Sequence, residues 1–321
     1  MSFMSGPSEV PSSSSLVDPA VGVESAICNS RVASRTQTCN YRIARQNRAH
    51  NENGGGAMLL EDKVAVIHGG GGSIGAAAAR VFAREGARLY LAGRSLPRLE
   101  AAAAAARAEG ADVSIAVVDA MDQDAVDRHV DGIADATGRV DIALNTVGFD
   151  HVQGRSIAET SVEEYLHPID GYLRTNFVTA KAASRHMIAQ GSGVILTVST
   201  PGARLTGLGL LGNAAQSAGL EGFSRALAGE LGPAGIRVVC VRPHAMSDAL
   251  PTSYTREMFA RTAAASGTPM DEWFAGLAGM TLLGRLPVLD ETAEYLAFAA
   301  SDRAGSMTGA IANLSAGALV D

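Results

Sequence analysis

A run of glycines separates an apolar stretch, 64–67, from an alanine-rich stretch that follows it. Glycines allow backbone N–H groups to approach a pyrophosphate closely, and a helix beginning near Ile74 adds the positive end of its dipole. The run therefore predicts a dinucleotide phosphate site. Its expected members are His68, Gly69, Gly71, Ser73, Ile74 and Gly75. For His68 we expect hydrogen bonding to phosphate or backbone rather than proton transfer.

Two histidines follow segments that read as the ends of buried strands. His151 comes shortly after the turn Asn145-Thr-Val-Gly148, and His244 comes directly after Pro243. Imidazole titrates near neutral pH, so either side chain can act as a general acid. The alternative is that each is a solvated or hydrogen-bonded loop residue, and geometry decides between the two interpretations. We predict no metal site.

Strand-like and helix-like segments alternate from Met58 onward. Apolar strands are predicted at 63–68, 88–92, 113–118, 142–146, 194–199, 236–242 and 310–314. Val126, Val130, Ile133 and Ala134 mark the buried face of one intervening helix. This alternation predicts an α/β fold, a single Rossmann-type doubly wound parallel sheet of about seven strands with helices on both faces. Such sheets place their clefts at the carboxyl ends of the strands.

The chain divides into two parts of different composition. Residues 1–57 are rich in Ser, Arg and Asn, and we predict a disordered extension ahead of a start at Met58. An organelle transit segment is the alternative, although no amphipathic pattern supports it. Residues 58–321 form the predicted folded domain, in which 251–284 is long enough for a small helical lobe over the cleft.

Composition excludes several classes of partner. The 321 residues carry a net charge of −7 with no basic stripe, so we expect no nucleic acid. No apolar run is long enough to span a bilayer, so we expect no membrane. Cys28, Cys39 and Cys240 form no disulfide framework, and a reducing cytoplasm is therefore the expected location.

Several separate motifs resemble the short-chain dehydrogenase/reductase family from about Met58 to Asp321. The segment His68-Gly-Gly-Gly-Gly-Ser-Ile-Gly75 is similar to the family's Thr-Gly-x-x-x-Gly-x-Gly, and Asn145-Thr-Val-Gly148 to its Asn-Asn-Ala-Gly. Segments 237–243, 300–304 and 307–309 resemble its C-terminal pattern. The resemblance implies that Asp119 contacts adenine and that Asn145, Gly148 and Pro243 belong to the cofactor site. It also implies a homodimer or homotetramer packed through the helices beside the fifth strand.

The same resemblance predicts an unusual active site. The family's proton donor is a tyrosine followed four residues later by a lysine, and here Asn213 and Ser217 occupy those positions. The chain has only Lys63 and Lys181, and neither has a tyrosine four or seven residues before it. A lysine lowers the pKa of a nearby phenol, so without the pair the usual acid–base group is missing.

Other family positions retain hydrogen-bonding side chains. Thr200 aligns with the catalytic serine and is expected to hold a carbonyl oxygen. Asn176 aligns with the helix asparagine, whose usual role beside the lysine loses its meaning here. Asn213 can still orient a ligand. The predicted catalytic set is therefore Thr200, Asn176, Asn213, Ser217, His151 and His244.

The end of the second strand indicates which cofactor is bound. An acidic residue at this position binds the ribose 2′-hydroxyl of NAD, whereas arginine accommodates the 2′-phosphate of NADP. Gly93 stands at the acidic position and Arg94 follows it. NADP is therefore favoured, with NAD possible, and a solvated charge is the alternative for Arg94.

Apolar side chains predict the character of the substrate. Tyr165, His167 and Tyr172 lie in an apparent insertion and could shape a pocket, although tyrosines that pack the helix and a helix break at His167-Pro168 are favoured. A second group suggests a lid over a small, fairly apolar substrate, or else a core or subunit interface. That group consists of Met246, Met258, Met270, Trp273, Phe274 and Met280.

These features together predict an NADP-dependent oxidoreductase that moves hydride to or from a small carbonyl, alcohol or activated alkene with a non-standard proton donor. One alternative is a catalytically inactive nucleotide-binding sensor or partner-binding module. Another is a non-redox lyase or isomerase on the same fold.

Overall fold

The computed structural model describes residues 58–207, 209–250, 253 and 255–321. The predicted disordered segment, 1–57, lies outside these residues. Seven strands form one sheet: β1 Val64–His68, β2 Arg88–Gly93, β3 Val113–Val117, β4 Ile142–Asn145, β5 Gly193–Val198, β6 Ile236–Pro243 and β7 Ala310–Leu314. They are ordered β3-β2-β1-β4-β5-β6-β7, and every neighbouring pair is parallel. The predicted α/β fold is confirmed, and each predicted strand differs from the observed one by at most one residue at either end.

Helices cover both faces of the sheet. In chain order they are α1 Ser73–Arg84, α2 Leu96–Ala108, α3 Gln123–Thr137, α4 Val162–Gln190, α5 Leu211–Leu231, α6 Thr255–Ala265, α7 Met270–Gly279 and α8 Leu289–Ala300. One apolar core lies between the sheet and α1, α2 and α8, and the other between the sheet and α3, α4 and α5. Because side chains alternate along a strand, Ile67 enters the first core and Val66 the second.

The strand order reverses direction between β1 and β4, since β2 and β3 extend one way from β1 and β4 to β7 the other. Open α/β sheets bind ligands outside the carboxyl ends of the strands at such a switch point. Helices α6 and α7 lie within the predicted lobe at 251–284, of which Pro251, Thr252 and Tyr254 are outside the described residues.

The expected helix break at His167-Pro168 does not occur, because α4 runs through Pro168. The proline is buried, and a Cβ added at Gly212 of α5 would lie 3.1 Å from its Cγ, so the ring packs closely on that helix. Ser161 and Glu164 form a capping box at the start of the helix, which anchors the turn before the proline. Packing and capping together offset the one backbone N–H that proline lacks. No helix in the described residues is both long and apolar enough to cross a membrane.

Candidate active site

A cleft of about 830 Å³ opens at the carboxyl edge of the sheet. All the predicted site residues line it except Gly75 and Ser217. Those that line it are His68, Gly69, Gly71, Ser73, Ile74, Arg94, Asp119, Asn145, Gly148, His151, Asn176, Thr200, Asn213, Pro243 and His244. The fold therefore brings into one cleft residues that are up to 176 positions apart in the chain, from His68 to His244.

The glycine turn joins β1 to α1 with very little space around it. Gly69 has a φ of +81°, which favours glycine, and a Cβ there would lie 2.7 Å from the Thr146 carbonyl carbon. A Cβ at Gly75 would overlap the Gly69 carbonyl oxygen and lie 2.7 Å from Thr146 Oγ1. Helix α1 has no side-chain cap and no acidic residue in its first turn. The turn can therefore receive an anion at the positive end of the helix.

Thr146, which the sequence analysis does not single out, ties the glycine turn to the end of β4. Its Oγ1 donates to the carbonyl oxygens of His68 (3.0 Å) and Gly69 (3.1 Å). On the same strand end, Asn145 Oδ1 accepts from Val147 N (2.9 Å), and Asn145 Nδ2 donates to Thr179 Oγ1 (3.1 Å). These bonds hold the two strand ends at the switch point in register.

The His68 side chain makes no hydrogen bond to the backbone, which is one of the two contacts expected of it. Strand alternation points it toward α3, on the same face as Val64 and Val66, where its ring meets His129 edge to face at 5.9 Å. Both ring nitrogens are enclosed and have no hydrogen-bond partner among the described residues. Burial, with the nearby His129, lowers the pKa of His68 to about 3, so the ring is neutral at physiological pH.

Two arginines flank the cleft beyond the end of β2. Arg94 is exposed, and so is Arg98, one helical turn further along in α2. Neither forms a hydrogen bond or an ion pair with any residue that the structure describes. Asp119, across the cleft after β3, accepts from Met121 N through Oδ1 (3.0 Å). Arg98 was not predicted from the sequence; Arg94 precedes α2, Arg98 lies in its first turn, and both line the cleft.

Thr200, Asn213, Gln216 and Ser217 form a hydroxyl–amide cluster between β5 and α5. Thr200 Oγ1 donates to Asn213 Oδ1 (3.1 Å), lies 2.8 Å from Ser217 Oγ, and accepts from Gly202 N (3.1 Å). Gln216 Nε2 donates to Asn213 Oδ1 (2.8 Å) and to Ser217 Oγ (2.7 Å). Gln216, whose side chain is fully buried, was not predicted from the sequence.

The cluster leaves one amide directed at the cleft. Asn213 is only 7% exposed, and its Nδ2 has no partner in the described part of the chain, whereas its Oδ1 is fully engaged. Asn176, on α4, donates through Nδ2 to Tyr172 O (2.9 Å), while its buried Oδ1 has no partner among the described residues. The cleft therefore contains an unused donor, whereas the unused acceptor of Asn176 is enclosed, and no charged group lies in the cluster.

The two candidate histidines differ in hydrogen bonding. His151 Nδ1 lies 3.2 Å from Phe149 O, which can only accept, and His151 Nε2 lies 2.9 Å from the amide nitrogen of Gln153. The ring is thus a neutral tautomer with both nitrogens occupied, and burial lowers its pKa. His244 Nδ1 accepts from Ala245 N (2.6 Å), which leaves the proton on Nε2 without a partner among the described residues. Burial lowers the pKa of His244 as well.

A buried ion pair beneath the cluster was not predicted from the sequence. Arg242, near the end of β6, is 1% exposed and donates through Nε and Nη2 to the two carboxylate oxygens of Glu221 (2.7 and 2.9 Å). These bonds, and a further one to Asp321, raise the pKa of Arg242 above its ordinary value. Glu221 Oε1 also accepts from Ser199 Oγ (3.1 Å), so the pair adjoins the residue before Thr200.

Aromatic side chains close the other end of the cleft. Phe259 of α6 packs against Trp273 and Phe274 of α7, with ring centroids 5.3 to 5.4 Å apart. Of the predicted lid residues, Met246, Met258, Trp273 and Met280 line the cleft, while Phe274 is buried behind it. Tyr172 lines the cleft, but Tyr165 and His167 do not. The Asp, Glu, Lys and Arg residues of the described lining, Arg94, Arg98 and Asp119, all lie on the β2–β3 side.

The sheet order, the glycine turn and the cleft at the switch point define an open α/β protein of the dinucleotide-binding class. A family model described as enoyl-(acyl carrier protein) reductase matches residues 70–318. The chain therefore belongs to the short-chain dehydrogenase/reductase family, whose members here are oxidoreductases.

The chain aligns with individual relatives over nearly the whole length of those proteins. The 3-oxoacyl-(acyl-carrier-protein) reductase FabG of Chlamydia trachomatis is 29% identical over 260 residues, covering 81% of this chain and 98% of that protein. L-rhamnose 1-dehydrogenase (NAD(P)(+)) of Azotobacter vinelandii is 32% identical over 258 residues, covering 79% and 95%. A crystal structure of NAD+-bound xylitol dehydrogenase has a TM-score of 0.75 at 23% identity, covers 80% and 99%, and shows the shared fold.

Proposed function

We propose that this protein is an NADP-dependent oxidoreductase that moves hydride to or from a small, neutral, fairly apolar carbonyl compound, alcohol or activated alkene. One observation carries the proposal: the glycine turn and the unused Asn213 amide face the same cleft, so a nucleotide and a reacting oxygen can be held together. Aromatic residues and the absence of charge at the α6–α7 end of the described lining support an uncharged substrate.

NADP fits the β2–β3 end of the cleft. The glycine turn and α1 would hold the pyrophosphate, and Arg94 and Arg98 would hold the 2′-phosphate, because both guanidinium groups are exposed and otherwise unpaired among the described residues. Asp119 would contact adenine, and Asn145, Gly148 and Pro243 would line the nicotinamide side. When bound, the nicotinamide would supply or take up hydride.

The hydroxyl–amide cluster would hold the reacting oxygen. The single hydrogen of Thr200 Oγ1 is already donated to Asn213 Oδ1 or to Ser217, whereas the two hydrogens of Asn213 Nδ2 are not donated to any described residue. We therefore assign the first hydrogen bond to Asn213, with Thr200 fixing the orientation of the amide and adding its own hydroxyl when a ligand enters. Hydrogen bonds of this kind stabilise charge that develops on oxygen.

His244 is the proposed source of the proton, and this is where the site departs from a tyrosine–lysine pair. None of the four side chains of the cluster titrates near neutral pH, so the acid has to come from a neighbouring element. His244 presents Nε2–H to the cleft, while both nitrogens of His151 are engaged. Reduction would then place hydride on carbon and the Nε2 proton of protonated His244 on oxygen, which leaves a neutral imidazole. Protonation of the ring requires Nδ1 to give up its contact with Ala245 N.

The uncharged cluster also favours a second candidate, a nucleotide-binding protein without turnover that acts as a sensor or partner-binding module. Elimination or isomerisation on the same scaffold would use the same oxygen-holding groups without net hydride transfer. Both are distinguished from the leading proposal by whether NADPH is consumed.

We further propose a homodimer or homotetramer packed through α4 and α5, with no nucleic-acid or membrane partner. Val162, Leu166, Phe177 and Ile188 of α4 are between 47% and 65% exposed, a large apolar surface for one helix. Sedimentation of the purified chain would measure the assembly, and Phe177→Glu is expected to shift it toward monomer.

The first experiment is calorimetric titration of the full chain with NADPH and, separately, NADH. Preference for NADPH supports the arginine assignment, and nicotinamide absorbance is then followed over a panel of ketones, aldehydes and enones. Binding without turnover across the panel would favour the sensor. Binding of neither nucleotide would overturn the cofactor proposal.

A further inference from the structure

The segment 315–321, which we call the hook, folds back beside the cleft after β7. Asn313 Nδ2 donates to Leu319 O (2.9 Å), and Leu319 N donates to Ser315 Oγ (3.2 Å). Ala318 N closes a turn on Ser315 O (3.0 Å), and Ala318 itself lines the cleft. The hook is therefore a defined structure that forms part of the cleft wall.

The hook is hydrogen-bonded to the turn that follows α7. Leu283 N donates to Ala316 O (3.1 Å), and Leu282 N lies 3.4 Å from Gly317 O. A Cβ at Gly317 would lie 2.6 Å from Leu282 Cβ, so the two segments are in close contact. Thr281 Oγ1 donates to Ala278 O (2.9 Å) within α7. Movement of the hook would thus be passed to the helix that bears Trp273.

Asp321 anchors the hook to Arg242 of β6. Its two carboxylate oxygens accept from Arg242 Nη1 at 2.9 and 3.1 Å. The Arg242 guanidinium is 1% exposed and its other edge is held by Glu221, so it is a fixed partner that pays little entropy to receive a second carboxylate. Arg204 adds a longer contact with Asp321, at 3.5 Å, from an exposed side chain.

We propose that Asp321 is a positioning residue whose pairing with Arg242 holds the hook, and through it α7 with Trp273, over the substrate end of the cleft. The placement of α7 is a property of the fold alone. Its consequence for substrate affinity rests on the proposed function. Since Glu221 still neutralises Arg242 without Asp321, loss of the anchor is expected to loosen the hook and leave the fold intact.

Trp273 is the only tryptophan of the chain, so its fluorescence reports α7 without any substrate. In the full-length protein, Asp321→Asn is expected to shift the opening equilibrium of the hook about two- to fivefold, which one partly exposed ion pair supports. Trp273 emission should then move to longer wavelength and acrylamide quenching should rise. Asp321→Glu should restore most of the effect. Gly317→Ala, which leaves the ion pair in place but crowds Leu282, should also raise quenching.

Two control variants match the charge changes. Arg204→Gln removes only the longer contact, and Asp302→Asn removes an exposed carboxylate that pairs with Lys63 on the protein surface. Both are expected to leave Trp273 quenching at the wild-type value. Equal quenching in wild type and Asp321→Asn, or an equal rise in Asp302→Asn, would overturn the proposal.

Kinetics then separate this inference from the proposed function. With a carbonyl compound that shows turnover, Asp321→Asn should raise KM about two- to fivefold while kcat and the Kd for NADPH stay near wild type, because the arginines and the glycine turn are untouched. If the protein never consumes NADPH but Asp321→Asn still raises quenching, the anchor is supported and the oxidoreductase proposal is wrong. If the protein consumes NADPH but quenching in Asp321→Asn equals that of wild type, the oxidoreductase proposal is supported and the anchor is wrong.

Discussion

On the β1–β3 side of the cleft, most groups offered to a ligand are backbone amides in a glycine turn and charged side chains at strand ends. On the β5–β6 side, they are neutral side chains held by other side chains: Thr200 by Ser217, Asn213 by Gln216, and Ser199 by the carboxylate of Glu221. The glycine turn is marked by a local sequence motif, although Thr146 also ties it to β4. The β5–β6 side has no such motif and depends on pairings among side chains of β5, β6 and α5.

The largest expected effect is the loss of stability when the buried cation on the β5–β6 side is removed. Arg242→Met would leave Glu221 a buried carboxylate without its partner, which costs about 3–5 kcal/mol of unfolding free energy. Urea unfolding of wild type and variant measures the loss. The double variant Arg242→Met with Glu221→Leu should recover much of it. An Arg242→Met protein as stable as wild type would mean that Glu221 is solvated.

A change on the β1–β3 side should alter binding and leave the fold unaffected. Arg94→Ala removes charge-assisted hydrogen bonds to a 2′-phosphate, so NADPH affinity should fall by about 1.5–3 kcal/mol while NADH affinity stays constant. Calorimetry with both nucleotides measures the difference. Equal weakening of NADPH and NADH would assign Arg94 a general role, and Arg98→Ala then tests its neighbour.

The glycine turn tests how closely the β1–β3 side is packed. Gly75→Ala places a methyl group against the Gly69 carbonyl and Thr146 Oγ1, and overpacking of this kind costs about 1–3 kcal/mol. NADPH binding should weaken with it. Gly132→Ala in α3, where a Cβ meets nothing within 4 Å, is the matched control and should be neutral or slightly stabilising. Similar unfolding curves for the two variants would show that the turn can relax.

The smallest expected effect distinguishes the two histidines by pH. Burial lowers the pKa of His244 below its ordinary value near 6.5, so its protonated form grows only as the pH falls below that value. Carbonyl reduction should accelerate toward acid pH in wild type and lose this dependence in His244→Ala. His151→Ala should keep it. A profile that His244→Ala leaves unchanged would remove this residue from the mechanism.

The two sides of the cleft also differ in how much of each could be predicted from the sequence. The glycine turn and Arg94 are local signals, and the alternation of apolar residues located the strands to within a residue. The ion pair of Glu221 with Arg242 joins residues 21 positions apart, and Asp321 lies 79 beyond Arg242. No local pattern indicates such pairings. The missing backbone hydrogen bond of His68 and the helix that continues through Pro168 have a related cause, since strand alternation and packing against Gly212 outweighed the local motif.

Burial of His68, with His129 nearby, sets an acid limit on the stability of the side of the cleft that carries the glycine turn. An unfolded histidine takes up a proton near pH 6.5, whereas folded His68 does so at about 3, so the unfolded state binds the proton more tightly. The stability that this group contributes is complete above pH 6.5 and is lost as the pH falls toward 3. Each pH unit in that interval amounts to about 1.4 kcal/mol. Acid should therefore unfold the strand beneath the turn with proton uptake, and His68→Phe should extend the range in which the protein stays folded.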